Sequence, residues 1–264
     1  MITTLAAQEL VLEGARPTRA LEAPQKRDQR IPIRKYAYWT SEVKEDAMLE
    51  GELVALAFAT GIQDATSFPD YGCFASNQTG NTILLALGAA GTGGSAFHLS
   101  NVGVSLGTFI LGGMLFGQIG NLFGSKRRLW LIVSSALQTA IVFAAVALQY
   151  RHGVSETGNI ALWVIALLAF ASGAQVAMAR TVKIPEITTA MITSAYIDLV
   201  VDPGIFALRN RPRDRRVFFM IALFVGAFVG TFSVKHVNSP FALLLSAIIK
   251  ALVTCALTLN KCNT

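Results

Sequence analysis

Beyond residue 50 the chain alternates long apolar runs with short polar joints. A bilayer core of about 30 Å takes roughly 17 to 25 apolar residues as a helix. Six runs reach that length: 51–69, 100–123, 129–149, 160–179, 217–234 and 241–259. Two further segments, 74–88 and 187–201, are shorter, open on polar residues and follow Pro69 and Pro185. The pattern predicts an all-α polytopic transmembrane helix bundle of about six spans, plus two short re-entrant or broken helices. Residues 1–50 read instead as a mobile cytosolic tail, because Pro17, Pro24 and Pro32 interrupt any helix and apolar residues are few.

The direction of the short segments follows from charge. Cytosolic loops collect Lys and Arg. If both short segments dip and return, nineteen basic residues fall on the inner side and only Arg151 and Lys235 on the outer. If both cross, the split weakens to fifteen against six. The first arrangement is expected, with the N-terminus cytosolic. Within the tail, the basic stretch from Arg16 to Lys35 acts first as an orientation signal and could also lie on anionic headgroups.

Three crossings per half also make the halves antiparallel. Thr60-Gly61-Ile62-Gln63 matches Ser172-Gly173-Ala174-Gln175 at an offset of 112 (175 − 63 = 112). Thr79-Gly80 falls against Thr193-Ser194, and Gly113 and Gly117 against Gly226 and Gly230, at nearly the same offset. An inverted internal repeat is expected within the transmembrane domain 51–258, with repeat one at 51–149 and repeat two at 160–258. Such repeats with broken helices are typical of secondary transporters. The glycine pairs read as helix-packing positions.

Overall composition supports the same class: 53% of the chain is hydrophobic and 14% charged, against about 25% charged in soluble domains. Between Gly51 and Ser125 the only charges are Glu52, Asp64 and Asp70. The net charge of +6 comes from scattered joints rather than one basic domain, so no nucleic acid is implied. Cys73, Cys255 and Cys262 have neither metal spacing nor an even count, and the three histidines form no ligand cluster. No metal and no cofactor is expected. No nucleophile has a base at a useful spacing, so the chain is not read as an enzyme. Gly103-Val104-Ser105-Leu106-Gly107 has the spacing of a nucleophile elbow but sits in an apolar helix rather than a strand-turn-helix.

The distinctive chemistry lies in Gly61-Ile62-Gln63-Asp64-Ala65 and in the polar run Asn77-Gln78-Thr79-Gly80-Asn81. These stretches resemble the YoaK family, a set of uncharacterised multi-pass membrane proteins filed under a domain of unknown function. Gln175, Arg180, Thr188, Thr189 and Thr193 resemble its second half, with Ser194 where a glycine is expected. The resemblance covers about 51–258 and implies membrane topology without an established activity.

Polar groups at membrane depth must line a cavity or be buried in protein. Asn77, Gln78, Thr79 and Asn81 can hydrogen-bond a solute, Gly80 permits a turn, and a helix starting nearby aims free amides at that turn. Thr189, Thr193 and Ser194 would do the same from the other half. The competing reading of both runs is that they only tie helices together. Asp64, inside the first span, is the strongest single candidate and could take up a coupling proton. Gln63 and Gln175 are expected to face each other. Asp198 and Lys250 are secondary candidates, Lys250 being expected to snorkel toward the inner face. The expected partners are the lipid bilayer and a small polar or anionic solute. The alternative is a non-transporting membrane scaffold or regulator.

Overall fold

A computed structural model describes residues 38–94 and 97–261; the basic stretch Arg16–Lys35 lies outside them. Six long helices form the bundle: α1 (Ala47–Tyr71), α3 (Leu99–Phe123), α4 (Arg128–His152), α5 (Asn159–Thr181), α7 (Arg211–His236) and α8 (Ser239–Ala256). Two short helices, α2 (Gln78–Ala89) and α6 (Thr193–Val200), sit where the short segments were expected. Among the described residues there are helices and one isolated bridge, Glu42 with Arg127, but no sheet.

Starts of helices follow local chemistry. Asp46 caps α1 by accepting from the Met48 and Leu49 amides. Asn210 and Asn238 cap α7 and α8, each two residues before a proline that needs no amide partner in the first turn. Five helices, α3, α4, α5, α7 and α8, are long and apolar enough to cross a bilayer. The other, α1, is as long but carries Gln63, Asp64, Thr66, Ser67 and Asp70 in its second half, most of them buried. Outside, the bundle shows apolar side chains such as Ile110, Met114, Phe224 and Phe228. Inside it holds glutamines, serines and threonines. An apolar exterior around an interior in which polar groups are buried among apolar ones suits lipid as solvent.

Helix ends meet at two poles. At one, Val43 and Lys126, Lys44 and Lys261, and Tyr38 and Thr258 are joined by hydrogen bonds. Buried Arg128 stacks 4.0 Å over the Tyr38 ring and donates to the carbonyls of Thr258 and Asn260 just beyond α8. Glu50 pairs with Arg211 and Arg215, and Arg215 also with Glu186 at 3.3 Å. Partial burial raises the Glu50 carboxyl, but Arg215 and then Arg211 outweigh it, leaving its pKa below the ordinary value. At the opposite pole, Asp70 accepts from Gln149 (3.2 Å) and Ser239 (2.7 Å), while Asn101 donates to the carbonyls of Tyr71 and Glu156. The six long helices therefore run alternately between the poles, and each short helix lies between two long ones that end and begin at the same pole. Residues 38–46, expected to belong to the mobile tail, are instead docked by these bonds.

The halves swap partners: α3 packs along α5 and α7 along α1, while α4 lies against α5 and α8 against α1. Each contact has its counterpart in the other half. At the closest crossings the contacts are reciprocal. A Cβ on Gly61 would lie 2.1 Å from the Leu223 carbonyl oxygen, and one on Gly226 would lie 2.1 Å from that of Phe58. In the other pair, Gly173 would meet Phe109 at 2.1 Å and Gly112 would meet Phe170 at 2.2 Å. On α3 the tight position is thus Gly112; Gly113 and Gly117, singled out from the sequence, have ordinary van der Waals room at 3.6 and 3.9 Å.

Candidate functional site

The break between α1 and α2 is organised by side chains from three helices. Gly72 ends α1 in the left-handed region at φ 64°, where glycine carries no Cβ penalty. Residues 73–77 then turn back along α1. Asp64 holds that turn with both carboxylate oxygens: one accepts from the Ser76 amide at 2.7 Å, the other from the Ser76 hydroxyl at 2.5 Å. Ser67 accepts from the Ala75 amide at 3.1 Å. Asn81 is fully buried, accepting from the Phe74 amide and donating to the Phe74 carbonyl, to Gln78 and to Ser105. Ser105 in turn donates to Phe74 O at 2.7 Å, pinning the break to α3. Gly80 lies in the first turn of α2, where its missing Cβ leaves room for the Phe74 ring; the turn itself is made at Gly72.

Against this break stands a cavity of about 580 Å³. From the first half it is walled by Gly61, Asp64, Ser76, Asn77, Gln78 and Thr79, and from the second by Ala190 to Ser194 and by α7 at Leu223 and Ala227. Both broken segments therefore reach the same space. Asn77 caps α2 by accepting from Gly80, whereas α6 starts at Thr193 with no side-chain cap. The segment before α6 is bent at Thr189, a threonine at φ 64° whose buried hydroxyl has no hydrogen-bond partner. Such a conformation is a genuine outlier for a β-branched residue.

Of the sequence candidates, Asp64, Asn77, Gln78, Thr79, Thr193 and Ser194 share the cavity wall. Asn81 and Thr189 are fully buried and are not part of that wall. Gln63 and Gln175 do not face each other. They reach crosswise, Gln175 donating to Thr60 at 2.9 Å and Ser172 to Gln63 at 3.4 Å, so each glutamine meets the other half's counterpart of its own neighbour. Ser246 of α8 accepts from Gln63 at 2.8 Å. Lys250 does not snorkel: it is 1% exposed and donates to Gln175. Asp198 is exposed, beside a second and more open depression with Asp202, Asn210 and Arg216. Sequence reasoning missed Ser105, read only as part of a chance motif, and Ser246. Nothing in an apolar helix marks one serine as an anchor until its neighbour is known.

A bundle with five long apolar helices, polar contacts inside and lipid-compatible side chains outside is a multi-pass membrane protein. Its residues 53–256 match the family model DUF1275, described as a protein of unknown function, and the chain belongs to that family, which contains the YoaK-like membrane proteins. No curated protein and no solved structure matches the chain.

Proposed function

We propose that this protein is a secondary transporter of a small polar solute, with six crossings arranged as two inverted halves and the solute held where the two broken segments meet. The shared cavity carries this reading. It takes wall residues from both halves, as expected when irregular backbone at membrane depth lines a solute path. Crossing direction supports it too. Lys126, Arg180, Lys183, Arg211 and Lys261 gather toward the pole of the α1 N-terminus, while Arg151 and Lys235 lie toward the other, which supports reading the first pole as the cytosolic one.

Asp64 narrows the solute class. Its carboxylate on the wall repels a bare anion, so a neutral polar solute fits best, and an anion would enter only with a proton. Asn77, Thr79, Thr193 and Ser194 supply donors and acceptors around it, and the first amides of α6, which no side chain caps, add donors from the far wall. The scaffold reading draws support from Asn81 and Gln78, whose amide groups are spent on tying α2 to α3. It leaves the cavity itself unexplained.

The test is uptake by vesicles containing the full chain, using a panel of radiolabelled sugars, amino acids, nucleosides and short carboxylates. Asp64→Asn keeps the shape but weakens a hydrogen-bonded charge, a change of about 1.5 to 3 kcal/mol. Uptake of the transported member is expected to fall by about tenfold or more while membrane insertion is retained. Wild-type vesicles that move no member of the panel would sink the proposal.

A further inference from the structure

Lys250 sits on α8 where that helix meets α1, α4 and, through Gln175, α5. This is the seam along which the two halves face each other. Its ammonium would bring three donors, and the structure offers it one side-chain acceptor, Gln175 Oε1. Gln175 is itself committed to Thr60.

Among the described residues no carboxylate compensates. On α1, Glu52 lies toward the cytosolic pole and accepts from Asn260, while Asp64 is turned to the cavity and bound by Ser76. Asp70 is at the opposite pole with Ser239. On α4 the ionisable groups are Arg128 at one end and Tyr150, Arg151 and His152 at the other. On α5 there is Arg180 in the last turn. On α7 they are confined to 211–216 and to Lys235 and His236. On α8 itself there is only Cys255, one turn further on and exposed. An isolated buried ammonium is costly, and such a group is stable in its neutral form.

The other half shows what the fold does without a lysine here. At the offset of the α1 and α5 motifs, position 138 on α4 corresponds to 250 (250 − 138 = 112) and Ser134 to Ser246 (246 − 134 = 112). Gln138 is 1% exposed and donates to Ser134 at 2.9 Å. A neutral amide therefore satisfies this place in the packing, and the amine is an addition that packing does not require.

We propose that Lys250 is the proton site of the transport cycle, neutral and bonded to Gln175 while the halves are closed on each other as here. When the seam parts, its lone pair takes a proton from water that has entered. The resulting ammonium needs acceptors that the closed seam lacks, so closure returns the proton to water on the other side. This rests on the transport reading and moves the coupling proton from Asp64, whose carboxylate oxygens are both engaged by Ser76, to the seam.

The experiment uses full-length protein in lipid nanodiscs, labelled with ¹⁵N-lysine and followed by NMR from about pH 5 to about pH 9, below the ordinary lysine range. A neutral-amine resonance is expected in that range, and it should disappear in Lys250→Gln. Gln175→Glu, which sets a carboxylate against the amine, should convert the same resonance to ammonium, a change that a merely structural hydrogen bond would not produce. In parallel, spin labels at Thr92→Cys and Val237→Cys, in a background without the native cysteines, report the distance between halves. That distance should shift with pH in the parent and lose its pH response in both variants. A Lys250 resonance that is ammonium throughout, or a pH response unchanged in Lys250→Gln and Gln175→Glu, would overturn the proposal. Failure of the transport reading shows differently, as intact pH-driven movement without uptake of any panel solute.

Discussion

Thr189 is the residue whose conformation asks most for an explanation. A left-handed backbone costs an ordinary L-residue about 1 to 2 kcal/mol, and a buried hydroxyl without a partner costs roughly 1 to 3 more. Both fall on one side chain immediately before the cavity-lining segment Ala190 to Ser194. Replacing it should separate stability from function. Thr189→Gly removes the Cβ conflict and the hydroxyl together, and adds back some unfolded-state freedom. The variant is expected to be more stable by about 1 kcal/mol, measured as a higher unfolding midpoint in detergent micelles, with uptake reduced because the segment is no longer held in one conformation. A lower midpoint would show that the strain is compensated by contacts of the side chain. The polar residues of this segment were legible in the sequence as a motif. Its backbone strain was not, because only chain closure between α5 and α7 sets φ at 189.

Element by element, the apolar runs located all six long helices within a few residues, since a lipid-facing helix writes its length into composition. Residues before the runs were read less well. The docking of 38–46 depends on Lys126, Arg128 and Lys261, which are distant in sequence, and no local pattern announces it. Glycine spacing gave the right class of contact and the right partner helix, but on α3 the tightest position is Gly112 rather than Gly113 or Gly117. In α3 both Gly112 and Gly113 meet α5, and which one is tight is decided by the crossing with Phe170 and Gly173. That assignment is testable. Gly112→Ala and its counterpart Gly226→Ala force a methyl group into a carbonyl oxygen at the crossing, where overpacking costs about 1 to 3 kcal/mol or more. Both should lower the unfolding midpoint sharply. Gly113→Ala and Gly117→Ala should leave it nearly unchanged, since a methyl there meets only ordinary contacts. Equal sensitivity at 112 and 113 would mean that α3 and α5 cross elsewhere.

At the scale of the whole molecule, everything proposed depends on the two halves being antiparallel, and that depends on how α2 and α6 are traversed. The bonded poles require each long helix to begin where its predecessor ended, with α2 and α6 returning the chain to the pole it left. Labelling with a membrane-impermeant thiol reagent reads this directly. In a background lacking Cys73, Cys255 and Cys262, cysteines at Thr92 and Thr157 should react from outside intact cells, and those at Ser125 and Arg209 only after permeabilisation. If α2 and α6 crossed fully, Thr92 would move inside and Ser125 outside. Two parallel repeats would then remain, and the reciprocal glycine crossings would have to be reconciled with helices of the opposite sense. The exchange of partners between halves, α3 with α5 and α7 with α1, makes that outcome hard to accommodate. Each half lends its second long helix to the first of the other, so one two-fold relation must satisfy both crossings. On the proposed six-crossing arrangement that relation is an axis in the membrane plane, with the paired breaks on opposite sides of one cavity.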